Sequence, residues 1–221
     1  MHTLILFAHP QPESLTGSAA RMLAAQLSAA TGHTAEVADL TTEGFDPRFT
    51  AADLAAMRGG GQYPDDVRRE QQRVERADAV VLVYPVYWWG MPGLLKGWID
   101  RVLNYGWAYG DDAAPGDALT RRDIHLLALA GTDPGTYERH GYTESMRIGI
   151  EHGIFEYCGT RVASSHFLFD TEVGTPIPLA DTVTAVADDV LAAHQARRAM
   201  CASPSRALSA EIRDASARAD S

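Results

Sequence analysis

Three short segments of this sequence carry side chains suited to holding an anion or a flat ring. The first is HPQPESLTG, where His9, Ser14 and Thr16 stand just before an alanine-rich stretch with helical spacing. A helix N-terminus offers unpaired N–H groups and partial positive charge, so it binds phosphate well, and these side chains add donors. Ser14 or Thr16 could instead serve only as the helix cap. The segment has neither G-x-G-x-x-G spacing nor a Walker lysine, which disfavours a Rossmann loop or an ATP site.

The second segment is YPVYWWGMP, with three consecutive aromatic residues at Tyr87, Trp88 and Trp89. Aromatic side chains at the end of a buried strand are costly to expose, so they need a flat ligand or a partner surface. A flavin ring would suit them. Core packing or a dimer interface is the alternative. Pro85 and Pro92 stiffen the segment, which favours a preorganised platform for a ligand.

The third segment is AGTDPGTYERHGY. Gly131 and Gly135 would allow close approach of the backbone, and Tyr137, His140 and Tyr142 could exchange protons or stabilise charge on a reduced ring. A solvated loop has a similar composition and is the alternative. The sequence shows no Ser-His-Asp order, no paired carboxylates and no histidine-rich metal cluster, so hydrolytic and metal chemistry have little support.

Strands alternating with helices must position these segments. Short apolar runs predict strands at 3–8, 33–40, 79–84, 124–130 and 161–169. The intervening patterns predict helices at 16–30, 65–77, 91–103, 143–157 and 179–200, with Pro92 in the first turn of its helix. This order predicts an α/β fold: a doubly wound, five-stranded parallel sheet with helices on both faces. The three segments follow strands directly, so they should meet at the carboxyl edge of the sheet.

The domain organisation is predicted to be simple. Residues 1–200 read as one domain, and residues 201–221, rich in Ala, Ser, Arg and Asp, as a disordered tail. The stretch 41–64 contains three consecutive glycines and is too long for a plain turn. It is therefore expected to be a functional flap or a partly helical insertion.

Composition limits the partners and the compartment. Among 221 residues the net charge is -10, which argues against a nucleic-acid partner because phosphate binding needs the opposite sign. Cys158 and Cys201 form neither a metal pattern nor a disulfide framework, which favours a reducing, cytoplasmic location. The start, MHTLILFAHPQPES, lacks the basic region of a signal peptide, and no apolar run is long enough for membrane insertion.

Taken together, the segments resemble the NAD(P)H:quinone oxidoreductase group of the flavodoxin-like superfamily. This group includes quinone reductases, modulators of drug activity and oxidoreductases associated with potassium efflux systems. The resemblance covers about residues 3 to 170, and its centre is YPVYWWGMPGLLKGWIDRVLNYGWAYG. AHPQPES and AGTDPGTY occur in the expected order before and after it.

The resemblance implies roles for particular residues. Tyr137 would steady charge on the flavin during hydride transfer, with His140 as its catalytic partner; Tyr142 could take the place of His140, because the segment after Tyr137 is shorter than in the larger quinone reductases. The implied flavin-binding residues are His9, Ser14, Leu15, Thr16, Pro85, Val86, Tyr87, Trp88, Trp89, Gly131, Thr132 and Tyr137. The implied substrate-pocket residues are Trp88, Trp107, Tyr109 and Tyr157. Leu15, Thr16, Leu129, Ala130 and the Asp133-Pro134 pair depart from the family pattern.

The resemblance also implies a reaction and an assembly. NAD(P)H would give a hydride to bound flavin, and a quinone-like acceptor would then take it from the same face. FAD is expected, because the stretch 41–64 is similar to the insertion of FAD-binding members, with FMN as the alternative. A homodimer is expected, with Trp107 and Tyr109 reaching the partner's site. The competing function is a flavodoxin-like electron carrier or a regulatory flavoprotein subunit, and an azo- or nitroreductase would differ only in acceptor.

Overall fold

The computed structural model describes residues 1–112, 116–173 and 176–202, and these residues form a five-stranded, fully parallel sheet. The strands are β1 His2–Phe7, β2 Thr34–Asp39, β3 Ala79–Pro85, β4 Asp123–Leu129 and β5 Val162–Leu168. Their order in the sheet is β2-β1-β3-β4-β5. The chain therefore adds strands first on one side of β1 and then on the other, which is the doubly wound topology that the alternating pattern predicts.

Eight helices surround the sheet in the described part of the chain. They are α1 Leu15–Ala29, α2 Ala51–Met57, α3 Asp65–Arg76, α4 Gly93–Val102, α5 Pro134–His140, α6 Tyr142–Met146, a π-helix Arg147–Glu156 and α7 Leu179–Ala202. On one face Leu23 of α1 and Val186 of α7 are buried against Ile5 of β1. On the other face Trp98 of α4 is buried in the cluster that includes Leu6. The continuous apolar strands are thus covered on both faces, as a parallel sheet requires.

Two sequence predictions need correction. Pro92 precedes α4 as its N-cap and does not lie in the first turn, and its extended backbone (ψ 149°) ends the preceding loop. The segment that holds Tyr137 is largely a helix, because Asp133 caps it by accepting a hydrogen bond from the N–H of Thr136 and Pro134 begins it.

Two other predictions are confirmed. The helix expected over 143–157 is present as α6 followed by the π-helix. The stretch 41–64 contains α2 and is therefore the partly helical insertion.

A buried ionic cluster fixes this insertion to α4. Arg101 donates to both carboxylate oxygens of Asp53, to the carboxylate of Asp66 at 2.6 Å and to the carbonyl oxygen of Asp46 at 2.8 Å. The Asp53 carboxylate also accepts from the N–H and hydroxyl of Thr50. Burial raises the pKa of Asp53, but the hydrogen bonds from Arg101 and Thr50 outweigh it and leave that pKa below its usual value.

Among the described residues, none of the helices is both long enough and apolar enough to cross a membrane. The tail predicted for 201–221 begins within α7, which runs to Ala202, and its remainder, 203–221, lies outside the described residues.

Candidate active site

The loops after β3, β4 and β5 are joined at the carboxyl edge of the sheet. The N–H of Val86 donates to the carbonyl of Leu129 at 2.8 Å, and the N–H of Ala130 donates to the carbonyl of Leu168 at 2.8 Å. Because parallel strands end at the same edge, these bonds hold the second and third chemical segments of the sequence side by side.

The tryptophan segment forms a tight and strained hairpin. Tyr87 and Gly90 exchange two backbone hydrogen bonds, of 3.0 and 3.1 Å, so Trp88 and Trp89 are the two central residues of the turn. Both have a positive φ, 48° and 58°, which is the region that two-residue hairpins normally fill with asparagine and glycine. Holding two tryptophans there costs about 1–3 kcal/mol each. Trp88 is 94% exposed as a result.

Beside this hairpin lies a cavity of about 310 Å³. Its lining comes from the loops after β3, β4 and β5 and from α5. The lining residues are Val86, Trp88, Trp89, Gly131, Thr132, Tyr137 and Glu172. Six of these seven are residues that the resemblance implies for flavin binding, and the cavity falls within the size range of small-molecule sites.

Tyr137 forms the inner wall of this cavity. It is 2% exposed, and its hydroxyl has no hydrogen-bond partner among the described residues. Burial raises the pKa of the Tyr137 hydroxyl, so the group is a neutral donor at ordinary pH. The hydroxyl is not one of the fully buried atoms that lack a partner, so it opens onto the cavity, where a ligand atom or water can bond to it.

Aromatic side chains hold the Tyr137 ring in place from several sides. Trp89, Phe167 and Phe169 make edge-to-face contacts with it at centroid distances of 5.4, 5.6 and 5.1 Å. These geometries are favourable for aromatic pairs, and they leave the ring little freedom to rotate away from the cavity.

The predicted partner of Tyr137 is not in contact with it. His140 lies at the end of α5, is exposed, and stacks on Tyr142 at 5.2 Å. Tyr142 in turn stacks on Trp89 at 3.5 Å, and its ring centroid lies 6.0 Å from that of Tyr137. Of the two alternatives left open by the sequence, Tyr142 makes a ring contact with Tyr137, and His140 contacts Tyr142 instead.

Glu172 is a cavity residue that the sequence reasoning missed. It follows β5, and the same rule that selected the other loops at this edge of the sheet applied to this one as well. A Cβ added to Gly131 would lie 2.8 Å from Cδ of Glu172. A side chain larger than that of glycine at position 131 would therefore require the flexible carboxylate side chain of Glu172 to move.

The first segment lies at the end of β1, outside the lining of the cavity. Ser14 is the N-cap of α1 and accepts from the N–H of Gly17, and Thr16 is buried. Nδ1 of His9 lies 3.0 Å from the backbone nitrogen and 3.1 Å from the carbonyl oxygen of Gln11, and the tautomer of the ring decides which of the two it bonds. Ser14 can cap α1 while the start of the helix binds a phosphate, because capping uses only one of the free N–H groups of the helix.

The remaining predicted residues do not line the cavity within this chain. Pro85 pairs with Leu129 in the sheet, and Leu15 is the first residue of α1. The indole N–H of Trp107 donates to Glu75 at 2.8 Å. The rings of Tyr109 and Tyr157 contact each other at 5.4 Å, and Tyr157 is 69% exposed. Tyr109 and Tyr157 therefore form an aromatic pair that is separate from the cavity.

The geometry is suited to holding a flat ring against tryptophan, with a tyrosine hydroxyl and backbone groups at its edge. This donor set fits a flavin, because the isoalloxazine is flat, apolar in its body and polar along one edge.

Comparisons with known proteins agree with this reading. A family profile described as flavodoxin-like fold matches residues 1–193. The ribosyldihydronicotinamide dehydrogenase [quinone] of Mus musculus is 30% identical over 195 residues, covering 78% of this chain and 83% of that protein.

Two solved structures extend the comparison. The NAD(P)H:quinone oxidoreductase from Methanothermobacter marburgensis superimposes with a TM-score of 0.77 at 30% identity, covering 85% of this chain and 96% of that one. The general stress protein 14 from Treponema denticola, in complex with FMN, superimposes with a TM-score of 0.59 at 25% identity, covering 89% and 99%.

Proposed function

The chain belongs to the flavodoxin-like fold family and is related to its NAD(P)H:quinone oxidoreductases, and from this premise we propose that it is a flavin-dependent NAD(P)H oxidoreductase of the quinone type. The observation that carries the proposal is the cavity beside the Trp88–Trp89 hairpin, into which the unpartnered hydroxyl of Tyr137 faces. A flavin bound there would supply the hydride chemistry, taking a hydride from NAD(P)H and giving it to a quinone-like acceptor.

The residues of the chain would then have distinct tasks. Val86 and Trp89 would pack against the ring, and Trp88, at the rim, would cover it from solvent. The hydroxyl of Tyr137 would donate a hydrogen bond where negative charge develops, and its high pKa keeps the proton available at neutral pH. His9 Nε2 and the N–H groups at the start of α1 would hold the flavin phosphate.

Tyr142 is proposed as the residue that positions Tyr137, in place of His140. Its ring lies on Trp89, and Trp89 contacts Tyr137 edge to face, so Tyr142 can fix both walls of the cavity. His140 would support Tyr142 by stacking from outside.

We propose FAD as the flavin, with FMN as the alternative. The ion pair of Arg101 with Asp53 fixes the insertion 41–64 to α4. The exposed glycine stretch of the insertion is thereby held in one position, where it could cover an adenosine. The FMN complex of the similar Treponema denticola protein supports the alternative. Release of the cofactor from the purified protein and its identification by chromatography would distinguish the two.

We propose a homodimer in which the aromatic pair of Tyr109 and Tyr157 completes the partner's substrate pocket, together with Trp107. Large exposed aromatic side chains are frequent at interfaces, and Trp88 and Tyr157 are both strongly exposed in the single chain. The expected result is a dimer in sedimentation, weakened by Tyr157→Ser and not by Phe49→Ser, an equally apolar change at another exposed site. A monomer at micromolar concentration would contradict this proposal.

A cytoplasmic location is proposed from the cysteines. Cys158 is a buried, unpaired thiol, which fits a reducing compartment. Burial raises the pKa of the Cys158 thiol to about 11, so the thiol is unreactive near neutral pH and is assigned no catalytic role.

Stopped-flow mixing of the purified, flavin-loaded protein with NADH or NADPH tests the enzymatic proposal. We expect the flavin absorbance to bleach and then to recover when 1,4-benzoquinone is added. The competing function, an electron carrier, is favoured by the net charge of -10, which would suit a basic partner. A flavin that neither nucleotide reduces would exclude the enzyme and leave the carrier.

A further inference from the structure

A second cavity, of about 320 Å³, lies between the sheet and the π-helix. It shares none of its lining residues with the flavin cavity. The lining residues are Tyr84, Leu126, Thr143, Met146, Arg147, Ile150, Glu151, Ser165 and Phe167. Most of the floor is apolar, and hydroxyl and charged side chains stand at the rim. A cavity of this size and composition can hold a small aromatic molecule.

Tyr84 gives this cavity a specific polar group. The residue is 1% exposed, and its hydroxyl has no hydrogen-bond partner among the described residues. Burial raises the pKa of this hydroxyl, and the nearby Glu151 and Tyr137 raise it further, so Tyr84 stays a neutral phenol. Tyr84 thus repeats, in a second cavity, the situation of Tyr137 in the first.

Glu151, which also lines the cavity, supplies an acceptor near Tyr84. No hydrogen bond or ion pair within the described residues involves its carboxylate, and the side chain is only partly exposed. A ligand hydroxyl between Tyr84 and Glu151 could accept a hydrogen bond from the phenol and donate one to the carboxylate. One hydroxyl group on the ligand would therefore satisfy both protein groups.

The charges at the rim argue against an anionic ligand. Arg147 is bound by both carboxylate oxygens of Glu144, each at 2.8 Å, so its charge is already compensated. Glu151 adds a second negative charge near Arg147, so the carboxylates at the rim outnumber this cation. A carboxylate ligand would meet this charge without a free cation to balance it.

Two aromatic rings in contact separate the two cavities. Phe167 lines the second cavity and contacts Tyr137, which lines the first, at 5.6 Å, and it stacks on Phe169 at 5.3 Å. The second cavity therefore lies behind the wall of the flavin cavity.

From these observations we propose that the cavity lined by Tyr84, Glu151 and Phe167 is a second binding site, which takes a small, neutral hydroxyaromatic molecule. The ring packs on Phe167, Met146 and Ile150, and the hydroxyl lies between Tyr84 and Glu151. This site goes beyond the proposed oxidoreductase function and does not depend on it, since binding here involves no flavin and no electron transfer.

Binding of 4-fluorophenol to the purified full chain, followed by fluorine NMR, tests the proposal. We expect saturable binding, with little or none for 4-fluorobenzoate, whose charge is negative. Tyr84→Phe should weaken the affinity several-fold, because one hydrogen bond is lost and no bond within the protein is broken. An unchanged affinity in Tyr84→Phe would overturn the assignment.

A matched pair of tryptophan substitutions locates the probe. Thr143→Trp should fill the mouth of the cavity and abolish binding, whereas Ser145→Trp, on the same exposed helix but outside the lining, should leave it intact. Binding that survives in Thr143→Trp with native circular dichroism would place the probe in the flavin cavity and refute the second site. The flavin absorbance of both variants then reports on the proposed function separately.

Discussion

The Arg101 cluster and the flavin cavity both place polar groups beneath the surface of this fold, and they are built in opposite ways. In the cluster, each buried charge has partners: Arg101 meets Asp53, Asp66 and a backbone carbonyl. In the cavity, the hydroxyl of Tyr137 has no partner within the described chain, and two tryptophans sit in a strained backbone region.

The difference separates groups that stabilise the fold from groups kept free for a ligand. A satisfied buried cluster contributes to the fold only as a unit, because removal of one member leaves the others as uncompensated charges. An unsatisfied hydroxyl contributes little to folding and is available to a bound molecule. Substitutions in the two regions should therefore affect different measurements.

The largest expected effect is on stability, from Arg101→Met. It leaves Asp53, which is fully buried, without its cation, and should lower the free energy of unfolding by about 3–5 kcal/mol. Urea denaturation measures this. The control is Arg48→Met, which breaks an exposed pair with Asp46 and should leave the denaturation midpoint unchanged. Equal denaturation midpoints for the two variants would contradict the claim that the buried cluster stabilises the fold more than the exposed pair does.

Tyr137→Phe should have the opposite profile. Its hydroxyl makes no bond within the protein, so the melting temperature should change little, while the rate of flavin reduction should fall on the order of 100-fold through loss of a positioned donor. Stopped-flow reduction by NADPH or NADH measures it. Tyr63→Phe, which removes a phenol bonded to the carbonyl of Tyr105 outside the cavity, should keep the full rate. A rate loss common to both would assign no special role to Tyr137.

Gly131→Ala should weaken flavin binding without unfolding the protein. The added methyl group would displace the carboxylate of Glu172, the end of a flexible side chain, into the cavity. We expect the flavin dissociation constant to rise several-fold in a fluorescence titration, with a native melting curve. Gly93→Ala, where a Cβ has nothing within 4 Å, is the matched control. If both variants bind flavin equally well, Glu172 does not limit the cavity.

The smallest expected effect is a loss of stability at low pH, which comes from the ionic cluster around Arg101. The pKa of Asp53 is lower in the folded chain than in the unfolded chain, so its contribution to stability is full above about pH 4 and disappears as the pH falls through the folded pKa. The free energy of unfolding should therefore decline with acid over this range. The decline should be shallower in Arg101→Met, and parallel curves would show that Asp53 is not the titrating group.

The strands illustrate what sequence patterns predict well. Each predicted strand agrees with the structure to within one residue at either end, as for 79–84 against Ala79–Pro85. Continuous apolar runs predict strands this accurately because a strand that is buried on both faces of a sheet must be apolar along its whole length. The cavity residues Val86, Trp88 and Trp89 followed from the same logic, since they come directly after such a strand.

The helical content of the third segment was predictable in part. Asp133 followed by Pro134 is a recognised start of a helix, although none of the helices predicted above includes this stretch. The π-helix carries no comparable local signal. Its backbone differs from that of an α-helix through packing against the sheet, which periodicity does not record.

The sequence by itself determined the order of strands and helices, and with it the edge of the sheet at which the aromatic and tyrosine segments meet, because apolar runs and parallel crossovers permit few topologies. The tertiary structure decided which groups are left without partners. That Tyr142 and not His140 meets the cavity wall, that Glu172 crosses Gly131, and that Tyr84 faces a second cavity depend on distances between elements far apart in the chain. No local pattern encodes those distances, since they result from how the whole core packs.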